Sequence, residues 1–447
     1  MNDLANDSVS KLLFRLSVPA ILAQLINALY NMVDRMYIGH IEGYGDMALT
    51  GVGVTFPIIM IISAFAALVG MSGAPLSSIK TGEGDREGAD KILSNCFVSL
   101  LGISVVLTAV FLLTQKQLLL AFGASENTIG YATDYLSIYL CGTIFVQISL
   151  GMNAFITSQG FAKTGMLTVL IGAILNILLD PILIFGFGMG VKGAAVATVI
   201  SQAVSAIWVL CFLFGKKTKL KIRRKFLKID PRLMGSVLAL GLSPFVMQAT
   251  ESLVVVVLNS TLKKYGGDLA VGSMTVITSV SQFALMPLTG LTQGAQPIIS
   301  FNYGAKKPDR VRKAFRLLFI SCVSFSTAMW LAALLMPQIF VVIFTDKPAL
   351  IQMASHYMRI FMGGVFMMGA QIACQQTFIA LGQAKVSLFL ALLRKVVLLI
   401  PLVYLLSAFF QTTGVFAAQP IADILAATTT VSIFAYKFKR IMKKIEE

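Results

Sequence analysis

The stretch Gly160-Phe161-Ala162-Lys163 returns as Gly382-Gln383-Ala384-Lys385, an offset of 222 residues in a chain of 447. The match extends outward. Gly142 falls against Gly364 and Tyr135 against Tyr357 at the same offset. With slips of a few residues, Leu16-Ser17-Val18-Pro19 aligns with Gly241-Leu242-Ser243-Pro244, and Gly73-Ala74-Pro75 with Gly294-Ala295-Gln296-Pro297. The chain therefore reads as two diverged copies of one unit, and a fold assigned to one copy holds for both.

Composition says what kind of unit this is. Apolar residues make up 57% of the chain and charged residues 13%, and mean hydropathy is +0.83. A water-soluble fold would have no polar skin with which to cover its core. Apolar stretches of ~20 residues, enough to cross ~30 Å of hydrocarbon as helix, recur throughout. Twelve are predicted, six per half: 12–38, 48–70, 92–114, 131–157, 166–187 and 193–214, then 234–260, 270–298, 315–335, 354–378, 386–408 and 414–436. The expected fold is an all-α integral membrane protein with an N-terminal lobe (1–214), a basic cytoplasmic linker (215–232) and a C-terminal lobe (233–447).

Positive charge sets the topology. With the N-terminus in the cytoplasm, 29 of the 36 Lys and Arg fall in inner loops and tails, nine of them between Lys216 and Arg232; Lys385, Arg394 and Lys395 are included in that count. The excess orients both termini to the cytoplasm. Six spans per copy make the two halves enter the membrane in the same sense, so the repeat axis runs along the membrane normal and the interface between halves is the expected pathway. The net charge of +16 is thereby a bilayer-facing feature that attracts anionic lipid, and no nucleic-acid partner is expected. The linker reads as a solvated connector. Asp3 and Asp7, with no cationic cap before a cleavage site, do not suit a signal peptide, so the first span is expected to be retained.

Several chemistries are excluded. Cys96, Cys141, Cys211, Cys322 and Cys374 stand singly in apolar segments, and His40 and His356 stand alone, so neither a disulfide framework nor a metal cluster is expected. Gly160-Phe161-Ala162-Lys163-Thr164 lacks the glycine that a phosphate loop places before its lysine. Gly82-Glu83-Gly84-Asp85 lies in a short inner loop without the strand a dinucleotide site requires. The chain is not expected to be an enzyme or to need a cofactor; work must come from an ion gradient.

Ionisable groups within spans then carry the information, because each costs ~2.5 to 3.5 kcal/mol or more at the bilayer centre. Asp34 lies late in span 1, with Asn27 and Asn31 seven and three residues earlier on one helix face. Asp180 lies in span 5, four residues after Asn176 and directly before Pro181, which cannot donate to the Ile177 carbonyl. Thr198 enters span 6 at a similar depth behind Gly193-Ala194-Ala195-Val196-Ala197, small residues that permit close helix approach. These four, Asp34, Asn176, Asp180 and Thr198, form the expected site for a proton or a sodium ion. The second copy departs: Asn259 stands opposite Asp34, and Ile400-Pro401 opposite Asp180-Pro181. Its deep acid is Glu251, one turn after Gln248, a candidate counter-charge for cationic substrate or a second proton site. Asp134 and Asp423 read as helix–helix anchors.

These residues resemble the multidrug and toxic compound extrusion (MATE) family over essentially the whole chain. The matching segments are Asn31-Met32-Val33-Asp34 with Gly39, Asn176-Ile177-Leu178-Leu179-Asp180-Pro181, Gly193 to Thr198, Gln296-Pro297 with Asn302-Tyr303-Gly304-Ala305, and Pro420-Ile421-Ala422-Asp423. The resemblance implies a V-shaped pair of six-helix lobes in the bacterial plasma (inner) membrane, acting as a monomer that exports amphipathic, often cationic drugs and dyes against inward ion flow. It also implies that Asp34, Asn176, Asp180 and Thr198 bind the coupling ion and that Glu251 is the span 7 acid. Members with a sodium site in the C-terminal lobe carry an acid in span 10, whereas 360–378 has none; this departure favours protons, or sodium held in the N-terminal lobe. The 21 Met and 31 Phe suit adaptable apolar walls. The alternatives are a flippase for lipid-linked oligosaccharides from the same superfamily, and a passive channel or scaffold.

Overall fold

The computed structural model describes residues 3–446, and among the described residues every regular element is a helix. In the first half these are α1 (Val9–Gly39), α2 (Gly45–Gly82), α3 (Arg86–Ala121), α4 (Ile129–Cys141), α5 (Thr143–Gln147), α6 (Asn153–Ser158), α7 (Ala162–Pro181) and α8 (Val191–Phe214). In the second they are α9 (Pro231–Gly304), α10 (Pro308–Leu335), α11 (Pro337–Val341), α12 (Pro348–Phe361), α13 (Val365–Ala380), α14 (Ala384–Leu392) and α15 (Ile400–Glu446). Nine stretches of described residues are long and apolar enough to cross a bilayer, ten with the pair that bends by 60° at Gly142. Two of the ten are double: Pro231–Gly304 turns at Gly267 and Ala384–Glu446 at Gln411, both non-helical residues. Counting those as two each gives twelve.

The repeat is written into the backbone. Residues in the left-handed region recur at its offset: Gly84 (φ 84°) with Lys306 (φ 52°), and Gly160 (φ 90°) with Gly382 (φ 69°). Gly190 (φ 55°, ψ −132°) is matched by Gln411 (φ 51°, ψ −128°) 221 residues later. A glycine holds that turn at little cost, whereas a glutamine there is strained. Side chains repeat too: Ser78 Oγ donates to the Ser158 carbonyl at 3.1 Å and Ser300 Oγ to the Ala380 carbonyl at 2.7 Å.

The chain forms two compact units. One comprises Leu22–Gln248 with Asp3; the other comprises Leu4–Ile21 with Ala249–Glu447. In the first, Ile38, Ile58, Ile62 and Leu136 form one fully buried cluster and Leu93, Leu100 and Phe155 another. In the second, Leu262, Ile277, Met358 and Phe416 do the same.

The linker is not the solvated connector its charge suggests; it is docked on the first unit. Gln159 Oε1 accepts from Thr218 Oγ1 and from the Lys219 and Leu220 amides at 2.7 to 3.0 Å. Buried Asp90 accepts from the Lys221 amide and from Arg223 Nε at 2.5 Å. Asn95 takes the Asp230 amide and donates to the Phe226 carbonyl. Such buried acceptors need these donors, because an unmatched polar group away from water costs ~1–3 kcal/mol. The second unit repeats the device: Asn302 Nδ2 and Arg310 Nη2 both donate to the Leu4 carbonyl at 3.1 Å, and Leu4 lies 222 residues before Phe226.

Candidate functional site

Helix α7 places Asn176 and Asp180 one turn apart on its inner face, where they are 2% and 0% exposed. At Pro181 the α-helical ladder ends and Ile182–Gly186 continues as a wider π-turn, the local disruption expected of a proline. Helix α8 then comes very close. A Cβ on Gly193 would lie 2.8 Å from the Leu183 carbonyl carbon and oxygen, and Ala194, Ala195 and Ala197 are fully buried. That approach brings Thr198 to the site: Asn176 Nδ2 donates to Asp180 Oδ1 at 3.3 Å and lies 3.4 Å from Thr198 Oγ1.

Asp34 completes the group from α1. It is buried, and its carboxyl lies within hydrogen-bonding reach of that of Asp180. Its neighbour Arg35 points elsewhere, over the Phe56 ring. The four residues singled out in the first half thus meet, and their arrangement is rich in acceptors and poor in donors. Asp34 Oδ1, Asp180 Oδ2 and Asn176 Oδ1 are all buried without a hydrogen-bond partner. Three unmatched oxygens beside one hydroxyl are suited to a hard cation or to a proton bound on one carboxyl; no cluster of three or more His, Cys, Asp or Glu suited to a transition metal occurs among the described residues.

The structure also adds residues. Tyr135 reaches the Thr198 hydroxyl, Tyr30 reaches Asn31, and both phenols lie in the electrostatic range of Asp34. Asn27 and Asn31 stay outside the buried group: both are exposed, and the Asn31 amide donates to the Asn27 carbonyl at 2.7 Å. Gln248, in the first unit, has its amide 4.0 Å from the Met71 sulfur.

The acid of the second unit is not free. Glu251 is paired with Lys395, and Lys395 lies on a π-helical segment, Leu393–Leu399, between α14 and α15. Its neighbour Arg394 pairs with Asp423 at 2.9 Å, and Gln419 donates to the same carboxylate. Arg394 and Lys395, counted with the inner loops by sequence, are buried within a span, because each finds an acid on another helix. Asp423 anchors helices; Asp134 lies at the surface near Lys192. A cavity of about 550 Å³ near Lys385, Phe389, Tyr436 and Lys437 touches none of these groups.

An all-helical chain of two repeated units, with its carboxyls buried at a helix break, has the build of a secondary transporter. A model of the MatE family matches residues 19–182 and 244–405, once in each half; the chain belongs to that family. It is similar to the multidrug export protein MepA of Staphylococcus haemolyticus, 25% identical over 94% of this chain and 92% of the relative. MepA of Staphylococcus aureus is 24% identical over 95% and 93%. Among solved structures, a MATE in the bent conformation superposes with a TM-score of 0.93 at 23% identity, covering 99% of this chain and 98% of the other. A transporter of the MOP superfamily from Pyrococcus furiosus superposes at 0.91, again at 23% identity and with 98% of each chain covered.

Proposed function

We propose that the protein is a secondary active multidrug exporter of the bacterial plasma membrane, both termini cytoplasmic, which expels amphipathic, often cationic compounds in exchange for protons. Sodium in the same oxygen cluster is the alternative coupling ion. The observation that carries this reading is the donor-poor group of Asp34, Asp180, Asn176 and Thr198, buried in the first unit.

The chemistry follows from counting donors. Two carboxyls within reach of each other can bond only when one of them holds a proton to donate. Without it, two negative charges share a site that water does not reach, and each unmatched oxygen retains its desolvation cost. Loading a proton removes one charge and supplies the missing donor; loading sodium supplies a charge that the unmatched oxygens can coordinate. Either event changes how strongly the last turns of α1 and α7 attract one another, and Pro181 with the π-turn after it gives α7 a place to adjust. Empty, the group favours water entry and an open packing; loaded, it favours a dry one. Export results if the drug leaves as the ion arrives. The pairing of Arg394 and Lys395 with acids also matters, since it leaves no surplus of buried positive charge for a phosphorylated lipid.

The test is susceptibility. An efflux-deficient bacterial host expressing the protein is expected to tolerate more of several unrelated lipophilic cations than the host with an empty vector. Equal susceptibility at verified membrane expression would overturn the proposal.

A further inference from the structure

Spans 1 and 5 of the first half meet at Asp34 and Asp180; spans 7 and 11, their equivalents in the repeat, meet at Glu251 and Lys395. Equivalent helices therefore carry one buried couple in each unit, two carboxyls in the first and an amine with a carboxylate in the second. The two partners differ in access. Lys395 is 8% exposed, while the Glu251 side chain is 45% exposed. A ligand can thus reach the carboxylate from its open side without reaching the amine.

We infer that Glu251 and Lys395 form a cation-exchange site, at which a lipophilic cation takes the place of the Lys395 ammonium on Glu251 and the amine releases its proton. This rests on the export reading given above and assigns Lys395 a role in it. Charge balance dictates the step. Before exchange, Glu251 carries −1 and Lys395 +1. A cation binding to Glu251 without any other change would leave a buried ammonium without its counter-charge, which is strongly unfavourable. Lys395 has no spare acid to turn to. Asp423, the next acid facing it, already accepts from Arg394 on one oxygen and from Gln419 on both. Arg394, the adjacent cation, repels the ammonium. The N–H bond of Lys395 therefore breaks, the pair of electrons stays on Nζ, and the proton leaves to water at the open side of Glu251. Lysine can do this and arginine cannot, because the guanidinium keeps its proton under all ordinary conditions. Rebinding of a proton to Lys395 restores the internal pair and ejects the cation. The site thus exchanges one cation for one proton without a metal or a second acid.

The experiment uses the full chain in detergent or nanodiscs and tetraphenylphosphonium, a cation with no proton of its own. Calorimetric titration in two buffers of different ionisation enthalpy counts protons released per cation bound. The wild type is expected to release a proton, and Lys395→Met to bind the cation at least as well with that release lost. Lys395→Arg keeps the charge and the packing but cannot deprotonate, and its affinity is expected to fall about tenfold or more. Glu251→Gln with Lys395→Met is neutral at both positions and guards against misfolding of the single variants; it is expected to bind weakly and release nothing. The inference is overturned if Lys395→Met releases as many protons as the wild type, or if Lys395→Arg binds as tightly. A wild type that binds and exports the cation while failing these tests leaves the export reading standing and removes only the role of Lys395; a wild type that neither binds nor exports it removes both.

Discussion

Replacing Asp180 by asparagine separates coupling from folding. The side chain keeps its shape and its buried position, but it can no longer gain or lose a proton. Asp180 Oδ2 and Asp34 Oδ1 both lack partners, so the new amide nitrogen enters a group that is short of donors. One added hydrogen bond contributes about 0.5 to 1.5 kcal/mol net, and more toward an ionised acceptor. Asp180→Asn is therefore expected to fold with unchanged or higher thermal stability while export of a lipophilic cation falls to the level of an empty-vector control. Thermal unfolding of the purified protein, followed alongside ethidium efflux from cells, gives both readings on one variant. The reasoning is refuted if efflux survives the substitution, since the carboxyl would then not be cycling. It is equally refuted if the unfolding temperature drops sharply, because the donor shortage would then be an error of assignment.

Other expectations are local. Gln411 is exposed and held at φ 51°, ψ −128°, so Gln411→Gly relieves backbone strain at almost no loss of contact; a gain of about 1 kcal/mol, read as slower thermal inactivation, is expected, and a loss would show that the side chain holds the turn. Gly193→Ala forces a Cβ into the backbone of Leu183, which is expected to cost about 1 to 3 kcal/mol, move Thr198 from Asn176 and weaken export; wild-type export and stability would contradict the close-approach account. In the linker, a hydrogen bond from Lys91 holds the Asp230 carboxyl below its ordinary value of 3.8. A depressed acid stabilises the docked state above its unfolded pKa and stops doing so as pH falls through the folded one. Faster hydrogen exchange of residues 218–230 in Lys91→Met than in wild type is therefore expected at neutral pH, the two converging well below pH 3.8; a difference that persists in acid would exclude this pair as the clasp.

Much of this was legible in the sequence because hydrophobic length and a repeated glycine pattern are one-dimensional signals. The span boundaries, the bends at Gly142 and Gly364 and the group of Asp34, Asn176, Asp180 and Thr198 follow from spacing, prolines and isolated acids. What was not legible depends on contacts between distant segments. Tyr30 and Tyr135 look like any apolar-span tyrosine until α1, α4 and α8 are packed. Lys395 reads as an inner-loop charge by position, and only its contact with Glu251, 144 residues away, shows why it can be buried. Asn27 and Asn31 have the right helical spacing from Asp34, yet α1 turns that part of its face outward. The linker misled by composition: its lysines and arginines are solvated, but its backbone amides are held by Gln159, Asp90 and Asn95.

The central claim is that a buried pair of carboxyls carries the ion that drives export. Purified protein in vesicles, loaded with a lipophilic cation dye and subjected separately to a proton gradient and a sodium gradient, tests it most directly. The account predicts that a gradient of one of the two ions accelerates dye movement in the wild type and that the acceleration is absent in both Asp34→Asn and Asp180→Asn. Gradient-driven movement of undiminished rate in either variant would contradict it.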